Sequence, residues 1–498
     1  MKKIKRLAIA NRGEVAVRIH RACEELGIET VLLHSEADRE SRAYRMCTKH
    51  ICIGPSPIAQ SYLNIEATIQ GALAGGADAI HPGFGFLSEN ADFAEACTAA
   101  NLLFVGPSAK SIRTLGDKVR CKELALQAQL PLVPGYDGKN QDIAFLCDQA
   151  EKIGFPVIAK AAAGGGGRGM KLIRSRAEAS EMLESAQRES QAAFGSSQVF
   201  LEKYLDRAKH IEFQIFGDST GQVVHYHDRE CSIQRRHQKI IEEAISPSLT
   251  DELRTKMGEA AVAIAQLGQY QSAGTVEFLL QDEKFYLLEV NTRLQVEHPV
   301  TEMVLGIDLV KAQILTAQGD FGISPQQHRV PQGAAIECRL YAENPFLGGI
   351  PSPGLLGEVR FPEGPGRRFE YGFEKGDTIT SFYDPMIAKV IVWDETRPRA
   401  IQKMIRVLKD TIIFGVHTNI PYLLKILSHP EFVTGRMTTR FIEKYLNEPL
   451  QVEKTTELET QALKKASAAL ANTRNESRSG SHPQTISESP WNSFWRGV

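Results

Sequence analysis

Between Thr275 and His298 the chain reads T-V-E-F-L-L-Q-D-E-K-F-Y-L-L-E-V-N-T-R-L-Q-V-E-H, and this stretch restricts the fold more than any other. Two apolar runs, 276–280 and 285–288, flank the polar break Asp282-Glu283-Lys284, the pattern of a β-hairpin. A three-residue loop there sets Glu277 opposite Glu289, because alternate residues of a strand share a face. Continued alternation puts Asn291, Arg293, Gln295 and Glu297 on one side, with Val290 and Val296 on the other. Facing carboxylates repel unless a cation lies between them. Glu277, Glu289 and Asn291 offer oxygen ligands of the kind Mg²⁺ or Mn²⁺ takes when it also shares phosphate oxygens. A solvated strand face with Glu–Arg pairs is the plainer alternative.

A chain of 498 residues has room for two or three domains with sizeable cores. Its 42% hydrophobic and 24% charged residues are ordinary for a globular protein. A formal net charge of −2 argues against a general nucleic-acid or membrane-surface binder. No apolar run approaches the roughly 18 residues of a membrane span, and Met1-Lys2-Lys3 leads straight into a short strand without a signal peptide. The cysteines at 23, 47, 52, 97, 121, 147, 231 and 338 include no C-x-x-C pair. They read as reduced thiols of a cytoplasmic protein, and none points to zinc.

From the N-terminus, Ile4–Ala10 is a buried-strand run, and Asn11-Arg12-Gly13 turns into a helix with Val15, Ile19, Ala22 and Leu26 on one face. Gly27 ends that helix before the next strand, 30–33, so the chain begins with a βαβ unit and a parallel sheet. The first turn lacks G-x-G-x-x-G, which argues against dinucleotide binding. Further strands are expected at 50–53, 79–80 and 103–105. The loop His81-Pro82-Gly83-Phe84-Gly85-Phe86-Leu87-Ser88-Glu89-Asn90 follows one of them, where open α/β sheets bind ligands. A tight turn needing two glycines is the alternative.

Gly116-Asp117-Lys118 opens a second unit. The strand 156–160 runs into A-A-A-G-G-G-G-R-G-M-K, and another strand, 170–173, follows. A helix would have to follow for this to be a Rossmann turn, and no Gly-Lys-Ser/Thr closes it as a Walker loop. A Gly-rich hairpin between strands can instead fold its backbone N–H groups over phosphates as a flap. His210, Glu212 and Gln214 then alternate with Ile211, Phe213 and Ile215, giving one polar and one apolar face. Gln234-Arg235-Arg236-His237-Gln238-Lys239 reads as a basic loop aimed at a small anion, because Glu230, Glu242 and Glu243 bracket it. Helix is expected over 299–319, a strand with Glu337 and Arg339 on one side over 333–341, short strands over 348–384 and a helix over 399–409. From Gln451 the sequence turns Ser/Asn/Arg-rich, with one helix at 462–471. Trp491, Phe494 and Trp495 make the tail a candidate docking peptide.

Taken in order, these pieces are similar to those of the ATP-grasp ligases, and within them the chain closely resembles the biotin carboxylases. The resemblance rests on A-N-R-G-E from Ala10, H-P-G-F-G-F-L-S-E-N from His81, G-D-K at Gly116 and G-G-G-G-R-G-M from Gly164. Q-R-R-H-Q-K from Gln234, E-V-N-T-R-L-Q-V-E-H-P-V-T-E from Glu289 and E-C-R at Glu337 complete it, over roughly residues 1 to 447. It implies an α/β and α+β fold: a Rossmann-like N-terminal domain (1–114), an ATP-grasp domain (115–330, flap about 131–203) and a β-rich C-terminal subdomain (331–447). A flexible tail, 448–498, follows.

The resemblance also implies carboxylation of biotin on a separate carrier protein, with ATP, Mg²⁺ or Mn²⁺, and bicarbonate. Lys118, Lys160, Gly164, Gly165, Gly166 and Gly167 match ATP-phosphate ligands. Glu202, Lys203 and Leu205 match the adenine strand, with His210, Gln234 and His237 around the nucleotide. Glu277, Glu289 and Asn291 match metal ligands, Glu277 and Glu289 also counting toward the ATP site. Lys239, Arg293, Gln295 and Val296 match the bicarbonate site, Glu297 its general base, and Arg339 the cation that stabilises the biotin enolate. Phe84 and Gly85 fall on the biotin side. There is no Met-Lys-Met biotinylation site, so a biotin carboxyl carrier protein and a carboxyltransferase are the implied partners. Three departures stand out: Ala163 for a flap glycine, Phe84 for a common tyrosine, and Pro365 for an aromatic at the dimer interface. Arg21, Glu25 and Arg368 match other positions of that homodimer interface. Two alternatives stay open, another ATP-grasp ligase joining a carboxylate to an amine and a non-catalytic nucleotide-binding scaffold.

Overall fold

The computed structural model describes residues 3–161, 170–194, 196–236, 238–323 and 330–448, with 450 and 465. The flap glycines 164–167 with Ala163, His237, and the tail's expected helix (Lys465 apart) and aromatic cluster lie outside the described residues. Met1–Pro449 is one compact unit and Leu450–Val498 a second.

The first layer is a parallel sheet of β1 (Arg6–Ile9), β2 (Glu29–Ser35), β3 (Lys49–Gly54), β4 (Ala79–His81) and β5 (Leu103–Phe104), in the order β3-β2-β1-β4-β5. Central strands β1, β2 and β4 are buried along nearly their whole length, which is why β1 and most of β2 read as apolar runs, while edge strand β3 is largely exposed. Helix α1 (Gly13–Glu25) lays Val15, Ile19 and Ala22 on the sheet, all buried. The turns after β1 and β4 are locked together: Asn11 Nδ2 donates to Pro82 O at 2.6 Å and to Phe84 O at 2.7 Å. Gly83 permits this approach. It sits at φ +63°, and a Cβ there would meet Asn11 Nδ2 at 2.9 Å.

A four-stranded antiparallel sheet follows, β6 (Gly135–Tyr136), β7 (Val157–Ala161), β8 (Lys171–Ile173) and β9 (Val199–Lys203), ordered β6-β9-β7-β8. Leu146 and Ala150 of helix Ile143–Ile153 and Leu183 of helix Arg176–Phe194 pack on it. The strand expected after the glycine run is present as β8, so the Gly-rich segment joins two paired strands.

The third sheet is antiparallel and eight-stranded. It contains β10 (Lys209–Gly217), β11 (Val223–Arg235), β12 (Gln238–Ala244), β13 (Ser272–Gln281), β14 (Lys284–Asn291) and β15 (Ala334–Tyr341). Their order is β14-β13-β10-β11-β12-β15, continued by strands Met386–Asp394 and Arg367–Tyr371. The sheet passes the 330/331 division unbroken, because β12 pairs with β15. Helix Asp251–Leu267 covers one face through Met257 and Ile264, against Phe213, Val276 and Phe278. The opposite face holds the polar residues.

Three local expectations are corrected. The β13–β14 hairpin turns on two residues, Asp282 and Glu283, both at positive φ, with Gln281 paired to Lys284. This is the turn whose twist suits a hairpin. A bulge at Leu288 then shifts the register, so Glu277 still faces Glu289. Strand alternation stops at Asn291, and residues 292–297 form an irregular turn into helix His298–Leu305, which Gly306 at φ +64° separates from helix Leu309–Gln318. The 234–239 segment is no free loop, since Gln234 pairs with Lys239 and Arg235 with Gln238 at the ends of β11 and β12.

Candidate active site

Five strands of the large sheet turn polar side chains to the face opposite helix Asp251–Leu267. Glu212 on β10 lies opposite Glu277 on β13, which lies opposite Glu289 on β14. Lys239 enters from β12 and Arg339 from β15. The solvated-face alternative fails here: Glu277 is 4% exposed, and Glu212 and Glu297 are fully buried. Buried charges persist only when paired and hydrogen-bonded.

Lys239 Nζ is the centre of that pairing. It donates to Glu277 Oε1 at 2.8 Å, to Glu297 Oε1 at 2.7 Å and to Glu212 Oε2. Arg339 Nη2 holds the other oxygen of Glu297 at 3.0 Å, while Arg339 Nε donates to Glu242 Oε1 at 2.6 Å. Asn291 Nδ2 reaches Glu277 Oε1 at 2.9 Å, and His210 Nε2 lies 3.0 Å from Glu277 Oε2. Gln295 Nε2 approaches Glu277 Oε1 at 3.4 Å. Arg293 Nη1 donates to Gln295 Oε1 at 2.9 Å, its Nη2 to Asn291 Oδ1 at 3.3 Å, and its Nε to Glu89 Oε2 at 2.9 Å. Gln234 Nε2 lies 2.7 Å from His210 Nδ1.

The electrostatics follow from these contacts. Burial alone would raise the Glu297 carboxyl, yet Lys239, Arg339 and Arg229 hold it well below the usual carboxylate range. Burial likewise opposes the charge on Lys239, but Glu212, Glu277 and Glu297 push the ammonium well above its usual value. Glu289 goes the other way. Burial and then the facing charge of Glu277 raise it.

That raised carboxyl beside an ionised one is the environment a divalent cation relieves, and Asn291 Oδ1 adds a neutral oxygen on the same strand. The donor set Glu277, Glu289 and Asn291 therefore fits Mg²⁺ or Mn²⁺. His210, Glu212 and Glu277 also bring ligand atoms within 4.8 Å of one another. Lys239 is bonded to both glutamates of that trio and supplies the charge there.

The residues expected on the nucleotide side form a second group. Lys160 is ion-paired with Glu202, and Lys122 Nζ lies 3.6 Å from the other Glu202 oxygen. Lys203 turns its ammonium to the carbonyls of Gly154 and Phe155, at 2.7 and 2.9 Å. Leu205 follows β9 in a half-buried turn. Lys118 starts helix Lys118–Gln127, capped by Asp117, and its charge partly offsets the rise that burial and Glu277 impose on the Glu289 carboxyl. Leu287 N donates to Pro131 O at 2.9 Å, which ties the base of the flap sheet to β14. Phe84 packs against the N-terminal core with its ring 5.9 Å from Lys389 Nζ, and Gly85 sits at φ +67°.

Sequence reasoning missed five participants. Glu89 anchors the 292–297 turn, accepting from Thr292 N at 3.0 Å as well as from Arg293. Glu212 and Arg229 form a fully buried pair, Arg229 also donating to Gln214, Thr275 and Thr301. Glu242 holds Arg339, and Lys389 holds Val296 O at 2.9 Å. Glu212 was legible as a member of the polar face of β10. Arg229, Glu242 and Lys389 depend on which strands are neighbours, and Glu89 on how the loop after β4 meets the 292–297 turn.

Comparison with known proteins places the chain. The family description "Biotin carboxylase, N-terminal domain" matches residues 3–112, "Carbamoyl-phosphate synthase L chain, ATP binding domain" matches 117–321, and "Biotin carboxylase C-terminal domain" matches 337–444. Biotin carboxylase 1 of Bacillus subtilis is 47% identical over 445 residues, 89% of this chain and 99% of that one. The mitochondrial methylcrotonoyl-CoA carboxylase subunit alpha of Arabidopsis thaliana is 44% identical over 98% of this chain. The chain spans 68% of that subunit and 61% of its Glycine max counterpart. Among solved structures, the biotin carboxylase domain dimer of Hydrogenobacter thermophilus 2-oxoglutarate carboxylase, in complex with MgADP, ADP and bicarbonate, superposes with a TM-score of 0.85. It is 43% identical, covering 91% of this chain and all of that one. The expected fold is thus met, and the chain belongs to the biotin carboxylase family of ATP-grasp ligases.

Proposed function

We propose that this chain uses ATP and bicarbonate to carboxylate biotin on a separate carrier, giving carboxybiotin, ADP and phosphate, with the roles assigned as follows. The observation that supports the assignment best is one lysine, Lys239, bonded at once to Glu277, one of the three metal-ligand candidates, and to Glu297, whose second oxygen is held by Arg339. Metal ligand, anion-binding cation, base and enolate-side cation are thereby one connected unit.

Glu297 is ionised at neutral pH and so able to accept a proton. Its two cations keep it weakly basic until a bound anion takes over their hydrogen bonds, an adjustment expected of a substrate-free site. Arg293, Gln295 and Lys239 then hold the bicarbonate close to the γ-phosphate, and Glu297 removes its proton. Carboxyphosphate forms and breaks to CO₂ and phosphate. The phosphate deprotonates biotin, and Arg339, which keeps its charge at any working pH, stabilises the enolate. The divalent ion, when bound by Glu277, Glu289 and Asn291, supplies charge stabilisation to the nucleotide phosphates.

A biotin carboxyl carrier protein, a carboxyltransferase, a homodimer and a cytoplasmic location complete the proposal. All eight cysteines are free, and no helix among the described residues is long and apolar enough to cross a membrane. The test is ADP release by the purified chain with bicarbonate and free biotin each varied. Cleavage that requires bicarbonate and is stimulated by biotin supports the reading, whereas robust ATP cleavage indifferent to bicarbonate overturns it.

A further inference from the structure

Lys389 lies in strand Met386–Asp394, among the buried apolar residues Ile387, Ala388, Val390, Ile391 and Val392, and is itself fully buried. An ammonium in such a strand is costly unless every charge has a partner. Its Nζ donates to Val296 O at 2.9 Å and lies 3.2 Å from Glu14 Oε1, at the start of α1. The Phe84 ring is on the same side, and the carboxyl of Glu337, which has no hydrogen-bond partner, also feels its charge.

Across the ladder Lys389 faces Arg339 in register. Two adjacent strands therefore present two cations to one turn. Arg339 grips the carboxylate of Glu297, and Lys389 grips the carbonyl just before it. The peptide between Val296 and Glu297 is planar, so fixing that carbonyl also fixes the opposing N–H and the Cα from which the Glu297 side chain springs. The turn 292–297 lies outside any strand and has no ladder to set this angle.

We infer that Lys389 is a positioning residue for the bicarbonate turn, holding the Val296–Glu297 peptide, with Glu14 as its counter-ion from the N-terminal domain. This rests on the function proposed above. Its consequence is selective: the turn that receives bicarbonate should loosen without Lys389, while the nucleotide side, built on other strands, should not.

The experiment uses the full chain as wild type, Lys389→Met, Lys389→Arg and the double variant Glu14→Gln/Lys389→Met. ATP cleavage with free biotin is followed while bicarbonate and MgATP are varied in turn, and melting is recorded for each protein. A wild type indifferent to bicarbonate would remove the proposed function and say nothing against the geometry of Lys389. Given a bicarbonate-dependent wild type, Lys389→Met should raise the KM for bicarbonate by about tenfold or more, the loss of one charge-assisted hydrogen bond, with the KM for MgATP changed less than about twofold. The double variant should show the same defect while melting near wild type, and Lys389→Arg should recover part of the loss. An unchanged bicarbonate KM, a parallel rise in both KM values, or wild-type kinetics in the double variant would each overturn the inference. Failure of both methionine variants to fold would assign Lys389 to stability and overturn it equally.

Discussion

The centre of the parallel N-terminal sheet and the centre of the large antiparallel sheet's polar face are both fully buried, by opposite chemistry. In the first, Leu7, Ala8, Ile9, Val31 and Leu33 are fully buried apolar side chains. In the second, Glu212, Gln214, Arg229 and Glu242 are buried as completely, and they carry ionisable groups or an amide. Apolar burial stabilises roughly in proportion to area and tolerates small shifts. A buried ionic lattice contributes little net stability, because desolvation offsets its attraction. What it supplies is direction: each charge has one allowed geometry. The contrast teaches that the apolar layers, including the large sheet's face under helix Asp251–Leu267, hold the molecule together, whereas the polar face holds groups at set distances.

That contrast can be broken most severely at the metal ligands. Chelating divalent ions should abolish ATP cleavage, and Glu289→Gln should raise the metal concentration required by at least about tenfold, the scale on which even an outer-shell partner acts. Metal titrations of wild type and variant would measure it. Next comes Arg229→Met, which leaves Glu212 buried without its arginine. It should cost about 3–5 kcal/mol and also disturb the Lys239 constellation, so the folded fraction should lose turnover. Phe93→Ala in the first sheet's core should cost a similar amount, about 3–5 kcal/mol, through the cavity it leaves. There, kinetics at low temperature should stay near wild type. Denaturation paired with steady-state rates separates the two cases.

The smallest effect belongs to the seam between the regions. Burial raises the Glu14 carboxyl to about 7, against the lowering influence of Lys389. A folded value above the unfolded one means stability present below pH 4.5 is lost as pH rises toward 7, on the order of 3 kcal/mol for this group. Glu14→Gln cannot ionise, so its melting temperature should gain on wild type across that window. A gap that stays constant from pH 4.5 to 8 would contradict the assignment.

Much of the architecture was legible because it rests on local signals. The βαβ start followed from apolar runs and the Gly27 stop, and the polar face of β10 from period-two alternation. Facing of Glu277 and Glu289 was inferred through a three-residue loop, and the structure reaches it through a two-residue turn plus a bulge at Leu288. Two local differences cancelled. What could not be read was adjacency. Glu242 and Lys389 meet site residues 97 and 93 positions away, and Arg229 meets Glu212 across a strand pairing, adjacencies that no periodicity reveals. The 234–239 segment looked like a loop because its basic residues hid the ladder of β11 and β12. Roles for Glu202, Lys203 and Leu205 came from the family resemblance alone.

Steady-state ATP cleavage by Glu297→Gln, with ADP binding measured on the same sample, tests the central claim most directly. The amide keeps the shape of the turn and removes the charge that Lys239 and Arg339 hold. Bicarbonate-dependent turnover should fall by at least about 10²-fold, the lower range of a lost general base, with ADP affinity retained. Wild-type turnover in that variant would contradict the account.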